Sequence, residues 1–183
     1  MGRLLETPEL MGYISATLGQ QGDLMGRTVV VSAGGTMEAI DPVRVITNHS
    51  TGKMGYALAE AARDRGANVV LVTAATGLAD PSALKVVPVK SAEEMCDAVL
   101  EQVKSADALI MAAAVADYRP SDQADQKIKK SDDDLSIALT KTTDILQAAK
   151  GSFVRVGFSA ESQDLVKNAK VKVQSKDLDL IVA

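Results

Sequence analysis

The stretch RTVVVSAGGT, residues 27–36, decides the fold because a run of valines passes almost directly into two glycines. Continuous β-branched residues are typical of a strand buried on both faces of a parallel sheet, and the glycines predict a tight loop at its carboxyl end. An amphipathic helix is predicted next, from Ser50 or Thr51 to Arg65, followed by a second strand, NVVLVT, at residues 68–73. This strand–helix–strand unit predicts parallel strands with a right-handed connection.

The rest of the chain repeats this alternation. The helix predicted at 91–105 opens on Ser91 with Glu94 three residues later, which is a capping box. The predicted fold is therefore α/β, with a doubly wound, mostly parallel, Rossmann-like sheet and helices on both faces. The inward face of the first helix is predicted to consist of Met54, Ala57, Leu58, Ala61 and Ala62. Further strands are predicted at 84–89, 106–117, 135–140, 153–160 and 178–183, and further helices at 143–150 and 162–176.

Composition and charge narrow the class of protein. The 183 residues, 46% of them hydrophobic, suffice for one domain with a substantial core. Aromatic residues make up 3% and the formal net charge is −4, so binding to nucleic acid or to an anionic membrane is not expected.

The chain has one cysteine, Cys96, and one histidine, His49, which excludes an internal disulfide, a Cys-based zinc site and a His-rich metal site. Cys96 is expected to be a small buried helix residue. No apolar run approaches the length of a membrane span, and we expect a cytoplasmic protein.

Two segments lack the alternation of strands and helices. Residues 1–26 are predicted to form a short helix or arm and a polar linker, appended to a domain at 27–183. Residues 118–134, YRPSDQADQKIKKSDDD, have no apolar periodicity and are predicted to form a long mobile loop. Loops of this length inside a compact domain usually carry function.

Small residues follow four predicted strands. Ligands of doubly wound sheets bind outside the carboxyl ends of the strands, so these segments predict the binding site. A dinucleotide site is disfavoured because GGTMEA lacks the G-x-G-x-x-G pattern and the second strand ends without an acidic residue. A P-loop is disfavoured because the sequence around Gly52 and Lys53 departs from its pattern at both ends. The four segments are SAGGT (32–36), TAATG (73–77), AAAVADYRP (112–120) and FSAES (158–162).

Lysines supply the remaining chemical signal. Lys53 lies in the first turn of the predicted helix, where the helix dipole disfavours positive charge, and a bound phosphate would explain it; simple solvent exposure is the alternative. KIKK, at 127–130, lies in the predicted loop, whereas Lys172 and Lys176 share one helix face. Solvated surface lysines would give the same pattern, but these groups would also suit a triphosphate and a departing pyrophosphate.

The longest motifs are SAGGTMEAIDPVRVITNHSTGKMG, AAAVADYRP, KIKK and VGFSAES. Their order and spacing resemble the phosphopantothenoylcysteine synthetase domain of the bacterial bifunctional coenzyme A biosynthesis flavoprotein, over about residues 27–183. The opening GRLLETPEL, at 2–10, resembles the tail of the decarboxylase half that precedes the synthetase, so residues 1–26 are expected to be its linker or tail and the chain a fragment of the fusion protein. Family members continue beyond LDLIVA, and the domain is expected to be truncated at its C-terminus.

The resemblance implies a ligase. In this family CTP, with Mg²⁺, converts the carboxylate of 4′-phosphopantothenate to an acyl-cytidylate with loss of pyrophosphate, and the amine of cysteine then displaces CMP. No protein nucleophile is required, no protein metal ligands are assigned, and Mg²⁺ is expected to be held largely by phosphates and water. FMN belongs to the decarboxylase half, and a homodimer is expected. The preference for CTP over ATP rests on the resemblance alone, and the alternative is a nucleotide-binding or oligomerisation module without turnover.

The resemblance also assigns roles to residues of this chain. Asn48 is expected to hold or polarise the reacting carbonyl, and Lys127 is expected to act in the activation step from a flap that closes over the nucleotide. Thr143 stands where the family usually has a proline. Contacts to CTP are expected at Ala112, Ala113, Asp117, Lys127, Phe158, Lys172 and Lys176, and contacts to phosphate or substrate at Ser50, Gly52 and Lys53.

Overall fold

The computed structural model describes residues 4–130, 134–160 and 163–183. The helices in this part of the chain are α1 Thr7–Gly19, α2 Lys53–Arg63, α3 Ala92–Gln102, α4 Ile145–Ala148 and α5 Leu165–Ser175. The strands are β1 Thr28–Ala33, β2 Met37–Ala39, β3 Val45–Thr47, β4 Asn68–Thr73, β5 Lys85–Pro88, β6 Ala108–Met111, β7 Tyr118–Pro120, β8 Leu139–Lys141, β9 Val154–Phe158 and β10 Leu180–Val182.

Six of these strands form one sheet in the order β10-β9-β6-β1-β4-β5. Every neighbouring pair in it is parallel. Side chains of β1 alternate between the two faces: Val29 and Val31 pack with α2, whereas Val30 packs with α3. Helix α2 covers one face, and α3, α4 and α5 cover the other, so the predicted doubly wound parallel fold is confirmed.

The inward face of α2 differs from the predicted one. Ala62 is buried as predicted, but Gly55, Tyr56 and Ala59, which were not part of the predicted face, are buried as well. A Cβ at residue 55 would lie 2.6 Å from the Cβ of Ala33, so the helix lies against β1 at a distance that only glycine allows there. Small residues set this contact, and a pattern of hydrophobicity does not detect them. Three members of the predicted face are exposed: Met54, Ala57 and Ala61.

Two antiparallel hairpins lie outside the sheet and were not predicted. β2 pairs with β3, and β7 pairs with β8. The strand predicted at 135–140 is reduced to β8, and the one at 106–117 is reduced to β6. Strands of three residues are too short to give a periodic pattern. Residues 131–133 of the predicted loop, and Glu161 and Ser162 of FSAES, lie outside the described residues.

Helix α1 comes from the segment predicted to be appended to the domain, and it lies against α2. Beyond it, the Leu24 N–H donates to the Arg65 carbonyl at 3.0 Å, and the Arg65 guanidinium pairs with Asp23. The boundary between residues 26 and 27 remains a prediction. None of the helices described is long and apolar enough to cross a membrane.

Candidate functional site

The chain reverses its direction across the sheet next to β1. From β1 the chain winds outward to β4 and β5, and it then returns to β6 on the other side of β1. In a doubly wound sheet the loops after two such strands diverge and leave a crevice at their carboxyl ends. This rule predicts a crevice between the loops that follow β1 and β6, and the β6 loop also lines the cavity described below.

Backbone and hydroxyl groups join these two loops. The Ala114 N–H donates to the Gly34 carbonyl at 2.8 Å, and Ser32 Oγ accepts from the Ala113 N–H at 3.1 Å. Thr36 Oγ1 accepts from the Ala116 N–H at 2.9 Å. Hydrogen bonds from backbone groups and short hydroxyl side chains therefore join the SAGGT loop to the AAAVAD loop.

Gly34 lies where three segments meet. Its φ of 83° is in the left-handed region, and a Cβ there would lie 2.4 Å from the backbone nitrogen of Ala75, just beyond β4. Gly52, with a φ of 78°, forms the N-cap of α2 and also lies against Ala75. The start of α2 therefore lies directly above the ends of β1 and β4, as an anion site there would require.

A cavity of about 600 Å³ opens beside the ends of β6 and β9; we name it the carboxyl-end cavity. Its volume lies within the range of small-molecule sites. Residues from the β6 loop, from β8 and the segment after it, from the end of β9 and from α5 line it together. They are Met111, Ala113, Ala114, Val115, Asp117, Tyr118, Lys141, Thr142, Thr143, Asp144, Ile145, Leu146, Phe158, Ser159, Ala160, Lys172 and Lys176.

This cavity collects some of the predicted site residues and not others. The lining includes Ala113, Asp117, Phe158, Lys172 and Lys176, which come from three different elements. Six predicted residues are not part of the lining: Ser50, Gly52, Lys53, Asn48, Ala112 and Lys127.

Lys172 in α5, and Lys176 just after it, are held at the wall of the carboxyl-end cavity. Lys172 Nζ donates to Ser159 Oγ at 2.9 Å, and Lys176 Nζ lies 2.9 Å from Asp144 Oδ2. Asp144 Oδ1 also accepts from the Gln147 N–H at 3.2 Å and caps α4. Capping fixes the carboxylate, and the carboxylate in turn orients the Lys176 ammonium.

Sequence reasoning missed the part of the cavity that β8 contributes. Lys141 and Thr142 reach it because β8 pairs with β7, which directly follows Asp117. Thr142 Oγ1 donates to the Ala116 carbonyl at 2.6 Å, and its N–H donates to the Asp117 carbonyl at 3.0 Å. The KTTD sequence was the available signal, but its position depends on a hairpin that closes over some twenty residues.

Asn48 is hydrogen-bonded to the backbone of two residues that line the cavity, and it does not line the cavity itself. Its Nδ2 donates to the carbonyls of Ala114 and Val115, each at 3.3 Å, and both of these residues line the cavity. The Asn48 amide therefore links the end of β3 to the β6 loop. This contact positions the side chain next to the cavity wall.

Asp41, in the loop between β2 and β3, is fully buried. The Arg44 guanidinium, together with backbone N–H groups of Val43, Ile128 and Arg44, holds the pKa of the Asp41 carboxyl well below its usual range. The carboxylate is therefore charged throughout the physiological range. It is part of the structural frame that carries the 127–130 segment.

Cys96 behaves as expected from the sequence. It is buried in α3, and burial, followed by the negative charges of Asp97 and Glu93, raises the pKa of its thiol. A raised pKa disfavours the nucleophilic thiolate. Among the described residues, no group of three or more His, Cys, Asp or Glu side chains could hold a metal ion.

Comparison with known proteins identifies the family. Residues 24–183 match the sequence profile described as the DNA/pantothenate metabolism flavoprotein C-terminal domain. The chain belongs to this family. The match covers every segment that forms the carboxyl-end cavity.

Relatives in the flavoprotein C-terminal domain family include the coenzyme A biosynthesis bifunctional protein CoaBC of Vibrio vulnificus. It is 44% identical over 188 residues, covering all of this chain and 47% of the relative. The corresponding protein of Bacillus subtilis is 48% identical over 164 residues, covering 87% of this chain and 40% of the relative. The chain spans about half the length of the curated relatives it matches.

A solved structure of the same family has the same fold. The crystal structure of the C-terminal domain of a coenzyme A biosynthesis bifunctional protein CoaBC superposes with a TM-score of 0.76 at 40% identity. The superposition covers 86% of this chain and 76% of that one.

Proposed function

We propose that this chain is a phosphopantothenate–cysteine ligase that uses CTP, and that it serves coenzyme A biosynthesis. The observation that carries the proposal is the carboxyl-end cavity, where Ala113, Asp117, Phe158, Lys172 and Lys176 converge from distant parts of the sequence. These are residues for which the family resemblance predicts contacts to CTP. The names of its relatives, which are coenzyme A biosynthesis proteins, support the same activity.

The chemistry of the cavity suits a nucleoside triphosphate. Within the described residues its charged lining is three lysines and two aspartates, which leaves one positive charge in excess. Lys172 and Lys176 would face the phosphates, and the half-buried ring of Phe158 offers an apolar surface. Mg²⁺ would enter with CTP, held by phosphate oxygens and water, since magnesium keeps several water ligands in such sites.

In the first step a carboxylate oxygen of 4′-phosphopantothenate attacks the α-phosphorus of CTP, and the bond to the pyrophosphate leaving group breaks. Lys127 would neutralise charge during this transfer, which depends mainly on positioning and electrostatics. In the second step the amine of cysteine attacks the acyl carbon, CMP leaves with the shared oxygen, and the amine proton passes to solvent. To polarise the carbonyl, the Asn48 amide would exchange one of its two N–H bonds, to the Ala114 or Val115 carbonyl, for a bond to the substrate.

The phosphate of the substrate is assigned to Ser50, Gly52 and Lys53. The first N–H groups of α2 are unpaired within a helix, and Gly52 lets this end of the helix lie against Ala75 and Gly34. A homodimer, residues 1–26 as the tail of a decarboxylase domain, and a cytoplasmic location are parts of the same proposal. FMN would belong to the decarboxylase domain alone.

The test is pyrophosphate release by this chain with 4′-phosphopantothenate, Mg²⁺ and either CTP or ATP, followed by CMP release on addition of cysteine. Lys127→Gln is expected to reduce pyrophosphate release to a small residual rate, and Asn48→Asp to impair the cysteine-dependent step. Lys104→Gln is the matched control because Lys104 is an exposed lysine paired with Glu101 outside the cavity lining. CTP binding without release of pyrophosphate would contradict the ligase and leave a binding module.

A further inference from the structure

A buried ion pair outside the cavity holds one residue of the KIKK segment by both of its backbone groups. Asp41 Oδ2 accepts from Arg44 Nε at 3.0 Å and from the Ile128 N–H at 3.1 Å. Arg44 Nη2 donates to the same carboxylate oxygen at 2.5 Å and to the Ile128 carbonyl at 3.1 Å. The Asp41 side chain is 0% exposed. The N–H and carbonyl of Ile128 are therefore bonded to two oppositely charged side chains, which also form an ion pair with each other.

We propose that this pair, the Asp41–Arg44 clamp, is a positioning device that fixes Ile128 and so determines how the adjacent Lys127 is presented to the reacting nucleotide. The inference rests on the proposed function in one respect, the role of Lys127 in activation. Neither Asp41 nor Arg44 lines the carboxyl-end cavity, so the clamp acts through the lysine segment.

The anchor point of the clamp is rigid. Asp41 Oδ1 accepts from the N–H groups of Val43 and Arg44, at 2.9 and 2.8 Å. The Ile40 N–H donates to the Arg44 carbonyl at 2.9 Å, which closes the turn between β2 and β3. The turn belongs to the motif that carries Asn48, so one structural unit positions two of the proposed reacting groups.

The lysine segment, by contrast, has few other supports. Lys127 and Lys129 are exposed, and neither makes a hydrogen bond or ion pair to any residue that the structure describes. The Ala124 N–H donates to the Ile40 carbonyl at 3.0 Å, which adds one contact upstream. Hydrogen bonds to charged groups are stronger than neutral ones, especially when buried. The clamp is therefore the main constraint on the backbone that carries Lys127.

The structural arm of the test is amide hydrogen exchange over residues 124–130 in the whole chain. Asp41→Asn is expected to accelerate exchange of the Ile128 amide about tenfold, because a charge-assisted acceptor is lost. Trypsin cleavage after Lys127 is expected to accelerate in parallel. Asp107→Asn is the matched control, since Asp107 also pairs with an arginine, Arg27, and accepts a backbone N–H. Equal acceleration in both variants, or none in Asp41→Asn, would overturn the clamp.

Arg44→Gln provides a second variant if Asp41→Asn does not fold, because the Arg44 side chain is 39% exposed and its loss leaves the Asp41 turn bonds in place. Circular dichroism establishes which variants are folded. Arg44→Gln is expected to accelerate exchange in the same direction as Asp41→Asn.

The catalytic arm separates positioning from general destabilisation. Asp41→Asn is expected to lower kcat for pyrophosphate release about tenfold with little change in the KM for CTP. Added to Lys127→Gln, it is expected to cause no further loss, because both changes disable the same group. Faster exchange with unchanged kcat, or a full additional loss in the double variant, would overturn the positioning role. If the wild-type chain releases no pyrophosphate, the proposed function fails, and the exchange arm alone decides whether the clamp exists.

Discussion

Two Asp–Arg ion pairs have different roles: one lies at the amino-terminal ends of the central strands, the amino edge, and the other lies in the loop between β2 and β3, near the candidate site. At the amino edge Asp107 lies 3.0 Å from Arg27 and accepts the Thr28 N–H at 2.8 Å, with side chains 40% and 64% exposed. Asp41, on the side of the site, is completely buried and binds a segment 87 residues away in sequence. The exposed pair braces two adjacent strands, whereas the buried pair organises the loops that carry the proposed chemistry. Burial and the partner segment, rather than the residue types, distinguish a surface brace from a positioning element.

The largest expected effect is a difference in unfolding free energy between two glycine substitutions, one at each end of the central strands. Gly34→Ala at the carboxyl edge is expected to cost about 2–5 kcal/mol of unfolding free energy, from left-handed backbone strain and overpacking together. The added Cβ would meet the Ala75 nitrogen at 2.4 Å. At the amino edge Gly26 has a similar φ of 76° but nothing within 4 Å of an added Cβ, so Gly26→Ala should cost only about 1–2 kcal/mol. Urea unfolding measures both, and equal losses would show that crowding at Gly34 is unimportant.

The central sheet could be predicted from the sequence because strands that are buried on both faces consist of continuous runs of apolar residues. TVVV and NVVLV are apolar on both faces, and Gly66 ends the helix between them. The β2–β3 and β7–β8 hairpins could not be predicted, since strands of three residues carry no periodic signal. The position of β2 depends on a loop distant in sequence, since the Met37 N–H donates to the Lys90 carbonyl at 2.8 Å.

The second prediction compares CTP binding after removal of a cation at either end of the central strands, Lys172 at the carboxyl end and Arg27 at the amino end. Lys172→Ala is expected to weaken CTP binding about tenfold, because a charged hydrogen-bond donor at the cavity wall is lost. Arg27→Gln, which removes an exposed cation at the amino edge, should leave the affinity unchanged. Isothermal titration of both variants checks the contrast. Similar losses of affinity would mean that general electrostatic attraction, rather than the cavity, binds the nucleotide.

Site residues that lie on or next to the predicted sheet could be predicted from the sequence, whereas those positioned by loops and hairpins could not. Asp117, Phe158 and Lys172 end up at one cavity because each lies at the carboxyl side of the sheet or on the helix packed beside it. Lys141 was missed because its position depends on β8. The role of Asp41 was missed because its partner Ile128 lies in a loop, and spacing along the sequence carries no information about that contact.

The smallest expected effect is a difference in pH dependence between the two carboxylates. Hydrogen bonds lower the pKa of both: Arg44 dominates at Asp41, whereas the Thr28 N–H, followed by Arg27, dominates at Asp107. A lowered folded-state pKa stabilises the protein above the unfolded value, which is about 3.9, and this contribution is lost as the pH falls through the folded-state pKa. The gap in unfolding free energy between the wild type and Asp41→Asn should therefore be constant from about pH 5 to 7 and shrink below about pH 4. The gap for Asp107→Asn should be smaller and follow the same direction, because its exposed ion pair is screened by solvent. Urea unfolding between about pH 3 and 7 measures both gaps, and an Asp41 gap that does not change with pH would show that its pKa is not lowered on folding.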